Sequence, residues 1–135
     1  MSAGRVSFLA LLVLTACAWT SARAVGQVFV PSGTYKVKVL NGAPLPANVD
    51  IEFKVEVKSV FHAEITPRVN FNDGTGWIVS AGQIARLTFL TGRWETVSGS
   101  VGVCRYDAAT GGYQFETTQG TNPGRIVEAT PQEGK

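Results

Sequence analysis

Few of the side chains that usually carry chemistry are present in this chain of 135 residues, which has one histidine and two cysteines. A zinc site built on His62 would need three more ligands at workable spacing, and Cys104 stands far from it in sequence. No metal and no cofactor is therefore expected. A serine–histidine–acid arrangement could still form in space from His62 with Asp50, Asp73 or Asp107. However, no Gly-x-Ser-x-Gly elbow or comparable nucleophile context accompanies it. His62 alternates in phase with Glu64, which predicts an outward, solvent-facing ring. No catalytic residue is assigned, and the chain reads as a non-enzyme.

A surplus of charge is missing too. The precursor carries a formal net charge of +2, and Arg5 and Arg23 supply all of it from an N-terminal segment that export would remove. Nucleic-acid binding draws most of its affinity from neutralised phosphates, so no nucleic-acid partner is expected of a balanced chain. There is no Asn-x-Ser/Thr sequon, so N-glycosylation is not implied. Ser98-Gly99-Ser100-Val101-Gly102 lacks both the lysine and the following helix of a phosphate-binding loop. Its glycines are expected to permit a turn or a bend in a strand.

The longest apolar run, residues 6–18, is interrupted only by Ser7 and Thr15. It is shorter than the roughly 20 residues a bilayer-spanning helix needs. It follows a short stretch containing Arg5, and Ala22-Arg23-Ala24 places small residues where a signal peptidase reads them. Residues 1–24 are thus expected to be a signal peptide, with export to the cell envelope, periplasm or medium. Leu14-Thr15-Ala16-Cys17 offers a second outcome, because it resembles a bacterial lipobox in which Cys17 would carry a lipid anchor. Cleavage after Ala24 and lipidation at Cys17 stay open, and a membrane association enters only through the second. Cys104 is the one cysteine left after cleavage, so no intramolecular disulfide can form. Its phase beside Val103 predicts a buried, inert thiol.

What the mature segment has in abundance is alternation. Val49, Ile51, Phe53, Val55 and Val57 alternate with Asp50, Glu52, Lys54, Glu56 and Lys58. Successive side chains of a strand face opposite ways, so this is a half-buried antiparallel strand with its charges on a solvated face. Tyr35, Val37 and Val39 repeat the pattern against Lys36 and Lys38. Shorter strands are predicted at residues 61–66, 69–71, 77–80, 84–90, 101–106, 113–118 and 126–129. Between them stand the turn signals Asn41-Gly42, Asn72-Asp73-Gly74, Thr91-Gly92, Gly111-Gly112 and Asn122-Pro123-Gly124. The only helical candidate, residues 93–98, is a poor one because of its β-branched residues and the following Gly99. The expectation is a mainly β fold: one small antiparallel barrel-like or sandwich domain over residues 25–130, with residues 131–135 as a frayed tail. The aromatics Trp77, Trp94, Tyr106, Tyr113 and Phe115 are the candidates to line a ligand pocket, or else to fill the core.

Gly33-Thr34-Tyr35-Lys36-Val37, then Asn41-Gly42 and Pro44, resembles the opening of META domains. Asn70-Phe71-Asn72-Asp73-Gly74 with Trp77 is similar to that family's central Asn…Gly…aromatic segment. Thr91-Gly92-Arg93-Trp94 loosely resembles its later Ser-Thr-Arg-Met. The resemblance spans residues 33–94 and departs at Arg68-Val69, where the family commonly has Gly-Cys. It implies a compact β-rich exported module that acts by binding or in envelope maintenance, stress response or virulence, with no catalytic residues to transfer. Gly33-Thr34-Tyr35 also resembles the Gly-x-Trp that opens lipocalin barrels, which would imply a carrier of a small apolar ligand. The partners expected are accordingly an unidentified protein or a small apolar ligand.

Overall fold

In a computed structural model the structure describes residues 27–132. The signal segment, Cys17 and residues 133–135 lie outside the described residues. Ten strands follow one another: β1 (Gly33–Leu40), β2 (Ala43–Pro44), β3 (Asp50–Val57), β4 (His62–Asn70), β5 (Trp77–Val79), β6 (Ala85–Thr88), β7 (Arg93–Thr96), β8 (Val101–Asp107), β9 (Gly112–Gln119) and β10 (Ile126–Pro131). A single 3-10 turn, Ala81–Gln83, is the one helical element among the described residues.

Eight of these strands make the staves of a closed antiparallel barrel. Each of β1, β3, β4, β6, β7, β8, β9 and β10 pairs with the next, and β10 returns to pair with β1 from Tyr35↔Pro131 to Leu40↔Val127. Closure removes the exposed edges that an open sheet of this size would present. Of the barrel-like and sandwich forms that the alternation allows, the closed antiparallel barrel is thus the one that forms. Both β1 and β3 follow the period-two pattern that predicted them, with Tyr35, Val37 and Val55 buried inside.

Four local differences from the sequence expectation have physical reasons. Residues 61–71 were expected to form two strands with Pro67 between them, but β4 runs through Pro67, which sits opposite Phe53 on β3. The proline shows its effect on the other neighbour. There the ladder to β6 ends at Ile65 and the ladder to β5 begins at Arg68, with the 3-10 turn bridging the gap. Proline has no N–H to continue a ladder. Residues 93–96 are strand β7 rather than any part of a helix, since Trp94 and Thr96 turn inward while Arg93 and Glu95 face out.

A bulge between Val37 and Val39 shifts the phase of β1. Leu40, rather than the expected Val39, therefore reaches the interior. Finally β10 continues beyond Ala129 through Pro131, and the Gln132 N–H donates to the Thr34 carbonyl at 2.9 Å. These two residues, expected in the tail, belong to the barrel wall.

The chain direction sorts the connections into two ends. Turns 58–61, 89–92 and 108–111 close one end; loops 41–49, 71–84, 97–100 and 120–125 ring the other. Residues 27–32, ahead of β1, fold across the first end. The Val28 N–H donates to the Phe89 carbonyl at 2.9 Å, and Val30 is completely buried. Two tyrosine hydroxyls hold the same segment, Tyr35 donating to the Pro31 carbonyl at 2.7 Å and Tyr113 to the Phe29 carbonyl at 2.9 Å. Beneath it Leu87, Ala63 and Cys104 are fully enclosed. This end of the barrel is stoppered by the chain's own apolar side chains.

Candidate functional site

The opposite end is not filled. Between the staves lies a cavity of about 330 Å³, walled by Val37, Ile51, Phe53, Ile65, Trp94 and Phe115, with Val127 and Leu40 nearer β10. This lies at the small end of the ~300–1,000 Å³ typical of ligand pockets. Two of its aromatic walls are fixed by their own contacts. Phe53 and Phe115 meet edge to face, their centroids 5.1 Å apart at 89°. The Trp94 indole N–H donates to the Val103 carbonyl at 3.1 Å, which leaves the ring face available to the interior.

Gly102 on β8 explains why Trp94 can lie as it does. A Cβ at this position would run into the indole ring and into the Glu116 carbonyl. Gly102 is therefore needed for the close approach of a side chain, while Gly99, at a φ of 100°, makes the turn expected of the glycine-rich stretch. A register shift in the β8–β9 ladder lies beside it, between Val101 and Gly102.

Of the five aromatic candidates, the structure brings two together at the cavity, Trp94 and Phe115. Tyr113 belongs to the stoppered end, edge to face with Tyr35 at 5.7 Å and with Tyr106 at 5.5 Å. Tyr106 is 57% exposed at that end. Trp77 lies on the outer wall, where the Arg68 guanidinium sits 4.5 Å above its ring. The same arginine reaches Glu52 at 2.6 Å. Glu52, expected on a solvated face, is consequently only 6% exposed: it is on the outer face, but the Arg68 side chain covers it.

The residues that sequence reasoning missed are those of the mouth. Gln83, Thr96, Thr117 and Arg125 are the polar side chains lining the cavity, and Arg125 is the only charged one. Thr96 is already engaged, its Oγ1 accepting from the Ser100 N–H at 3.0 Å and lying 3.1 Å from Ser98 Oγ. Arg125 differs, because its Nε is buried with no hydrogen-bond partner. An unsatisfied buried donor costs about 1–3 kcal/mol, more when charged. The only available signal for it was the turn Asn122-Pro123-Gly124 immediately before, which fixes where a following side chain enters a sheet.

The rim around this mouth is pinned. Asn41 has a positive φ of 52°, and its Oδ1 accepts from the Ile126 N–H at 2.8 Å, tying the β1–β2 turn to the start of β10. In the loop after β4, Asn70 Oδ1 accepts from the Asn72 N–H at 2.8 Å and Asp73 Oδ1 from the Thr75 N–H at 3.1 Å. The Thr75 hydroxyl, which also donates to Asp73 Oδ1, and then the Thr75 N–H hold the Asp73 carboxyl below its ordinary pKa. The Asn72 amide then bridges to the Asn48 carbonyl at 3.1 Å, fastening one rim loop to the other.

His62 is at the stoppered end on the outer face, with Nδ1 3.3 Å from Ser59 Oγ. Cys104 is wholly buried, and burial pushes its thiol pKa well up, so it is the inert core thiol its phase predicted. No group of three or more metal-binding side chains occurs among the described residues. No protein-family model matches this chain, and no curated protein or solved structure is similar enough to it to count as a match.

Proposed function

We propose that this domain binds a small, largely apolar molecule inside its barrel and serves as an exported carrier rather than a catalyst. The observation that carries this reading is the cavity of about 330 Å³ at one end, walled by Ile51, Phe53, Ile65, Trp94, Phe115 and Val127. A well-packed barrel of this width fills its interior with side chains, and the stoppered end does so. Leaving apolar walls unpacked forfeits dispersion contacts that the fold could otherwise make, and a ligand restores them. The cross-linked rim loops support the same reading, since a preformed mouth reduces the ordering cost of binding.

The signal segment read at residues 1–24 supports action outside the cytoplasm. The META resemblance fits alongside, because its Asn70–Gly74 motif supplies the hydrogen-bonded rim loop. An envelope, stress or virulence role would then be exerted through the bound molecule.

The test is an intact mass, native and denatured, of protein recovered from the host that makes it, followed by titration with the neutral solvatochromic dye Nile red. A native adduct lost on denaturation, or saturable one-to-one dye binding, is the expected result. Val127→Phe, which adds a ring to a half-buried wall of the cavity, should abolish that binding while the barrel still folds. Dye binding that Val127→Phe leaves untouched would place the ligand elsewhere and end the carrier reading.

A further inference from the structure

Building on the carrier reading, we infer that the ligand is an anionic amphiphile: an apolar body held between Phe53, Phe115 and Trp94, with a carboxylate that meets the Arg125 guanidinium at the mouth. The cavity wall is apolar on nearly every side and contains one charged side chain and no carboxylate. A guanidinium has five N–H donors, no acceptor, and a charge it does not lose in proteins. What Arg125 lacks is therefore an acceptor, and its buried Nε has none in the protein.

Four of the protein's glutamates are committed to other cations. Glu116 is the β9 residue registered with Ile126, immediately after Arg125, but it pairs with Arg105 at 3.0 Å. Glu52 is held by Arg68, Glu95 by Arg93 and Glu56 by Lys58. No ion pair involving Arg125 is formed among the described residues.

The position of Arg125 is also built rather than incidental. Its carbonyl accepts from the Thr117 N–H at 2.9 Å and its own N–H donates to the Asn122 carbonyl at 3.1 Å. The Asn41 side chain fixes the next residue. The backbone that carries the guanidinium is thus held from β9, from the preceding turn and from the opposite side of the β1–β10 seam. Its side chain lines both the cavity and the outer groove formed by Leu40, Asn41 and residues 122–124. A carboxylate at this point meets a planar fork of matching geometry, while its tail lies on the aromatic walls. A cationic amphiphile would meet the same guanidinium as a repulsion.

The experiment compares decanoate, 1-decanol and decyltrimethylammonium by Trp94 fluorescence and calorimetry at neutral pH. It uses the chain from Val25 onward, recovered from its host and stripped of bound lipid, with Trp77→Phe, which leaves Trp94 as its one tryptophan. Decanoate should bind at least about tenfold more tightly than 1-decanol, decyltrimethylammonium should bind weakest, and the decanoate-to-decanol ratio should fall close to one in Arg125→Gln. Should that variant fail to fold, Arg125→Met, which keeps the apolar stem, provides the same readout, and the ratio in the unmodified protein needs no variant at all. Equal binding of decanoate and decanol would overturn the carboxylate assignment and leave the carrier reading standing. A decanoate preference that survives both substitutions would remove Arg125 from the site. Failure of all three probes to bind would overturn both readings together.

Discussion

The two ends of this barrel are built from the same strands and end up in opposite conditions. At one end the segment 27–32 lies across the staves, Val28 and Val30 are buried, and two tyrosine hydroxyls tie the backbone down. At the other end the same strands surround an unfilled apolar space, and a guanidinium nitrogen is buried there without a partner. The difference is one of supply: one end receives a covering segment with apolar side chains, while the other is ringed by four loops that leave the space between the staves unfilled. Stability should therefore be concentrated at the stoppered end, and the open end should tolerate change and respond to ligand.

The largest effect that could break this comparison is a core truncation. Leu87→Ala, at a side chain with no exposed surface under the stopper, should cost about 3 kcal/mol in urea unfolding. A loss below about 1 kcal/mol would mean that the two ends are equally loose.

Alkaline titration comes next. Burial, with Tyr113 and Cys104 nearby, raises the Tyr35 pKa from 10.0 to about 12, and Tyr113 is shifted upward as well. The folded state thus holds these protons more tightly than the unfolded chain does. The Tyr35 contribution is fully present below pH 10 and is lost as pH rises from about 10 through 12. It should amount to about 1–2 kcal/mol for Tyr35. Hydrogen exchange across that window should quicken first at Val28 and at the Tyr35 region, before the rim loops.

A single hydrogen bond gives a smaller effect. Tyr113→Phe removes the donor to the Phe29 carbonyl and should lower stability by about 1 kcal/mol, with faster proteolysis of residues 27–32 as its local sign. The smallest expected change has the opposite sign. Arg125→Met removes a buried donor without a partner and should leave stability unchanged or raise it by up to about 1 kcal/mol, measured by thermal melting without added ligand. A marked destabilisation would mean that Arg125 has a structural partner and that the mouth is not the place where a ligand's acceptor is missing.

Much of the wall was legible beforehand, because burial on one face leaves a period-two record in each strand. β3 is the clearest case, with four apolar positions alternating with four charged ones. Short strands such as β7 record too few periods, and the signal of Arg93-Trp94-Glu95-Thr96 was lost beside Gly99. Pro67 lay between the two expected strands 61–66 and 69–71, yet it broke one ladder and spared the other, a distinction that depends on which neighbour each side of β4 faces. The site was less legible for a related reason. Trp94 and Phe115 show as inward aromatics, but whether an inward residue meets packing or empty space depends on which segment covers that end. The stopper in residues 27–32 has no periodic signature, so neither the closed end nor, by contrast, the open one could be located. The unpartnered state of Arg125 depends on Glu116 choosing Arg105, a matter of geometry across three strands.

Gln27 and Gln132, the first and last described residues, both leave the barrel at the stoppered end, the one beside Phe89 and the other beside Thr34. Anything attached directly at Gln27 or Gln132, whether a fusion partner or the surface of a biosensor chip, would hold the molecule by its base and point its mouth away from the support. Immobilisation should therefore cost no access to the cavity, and two such barrels joined tail to head would present their openings independently.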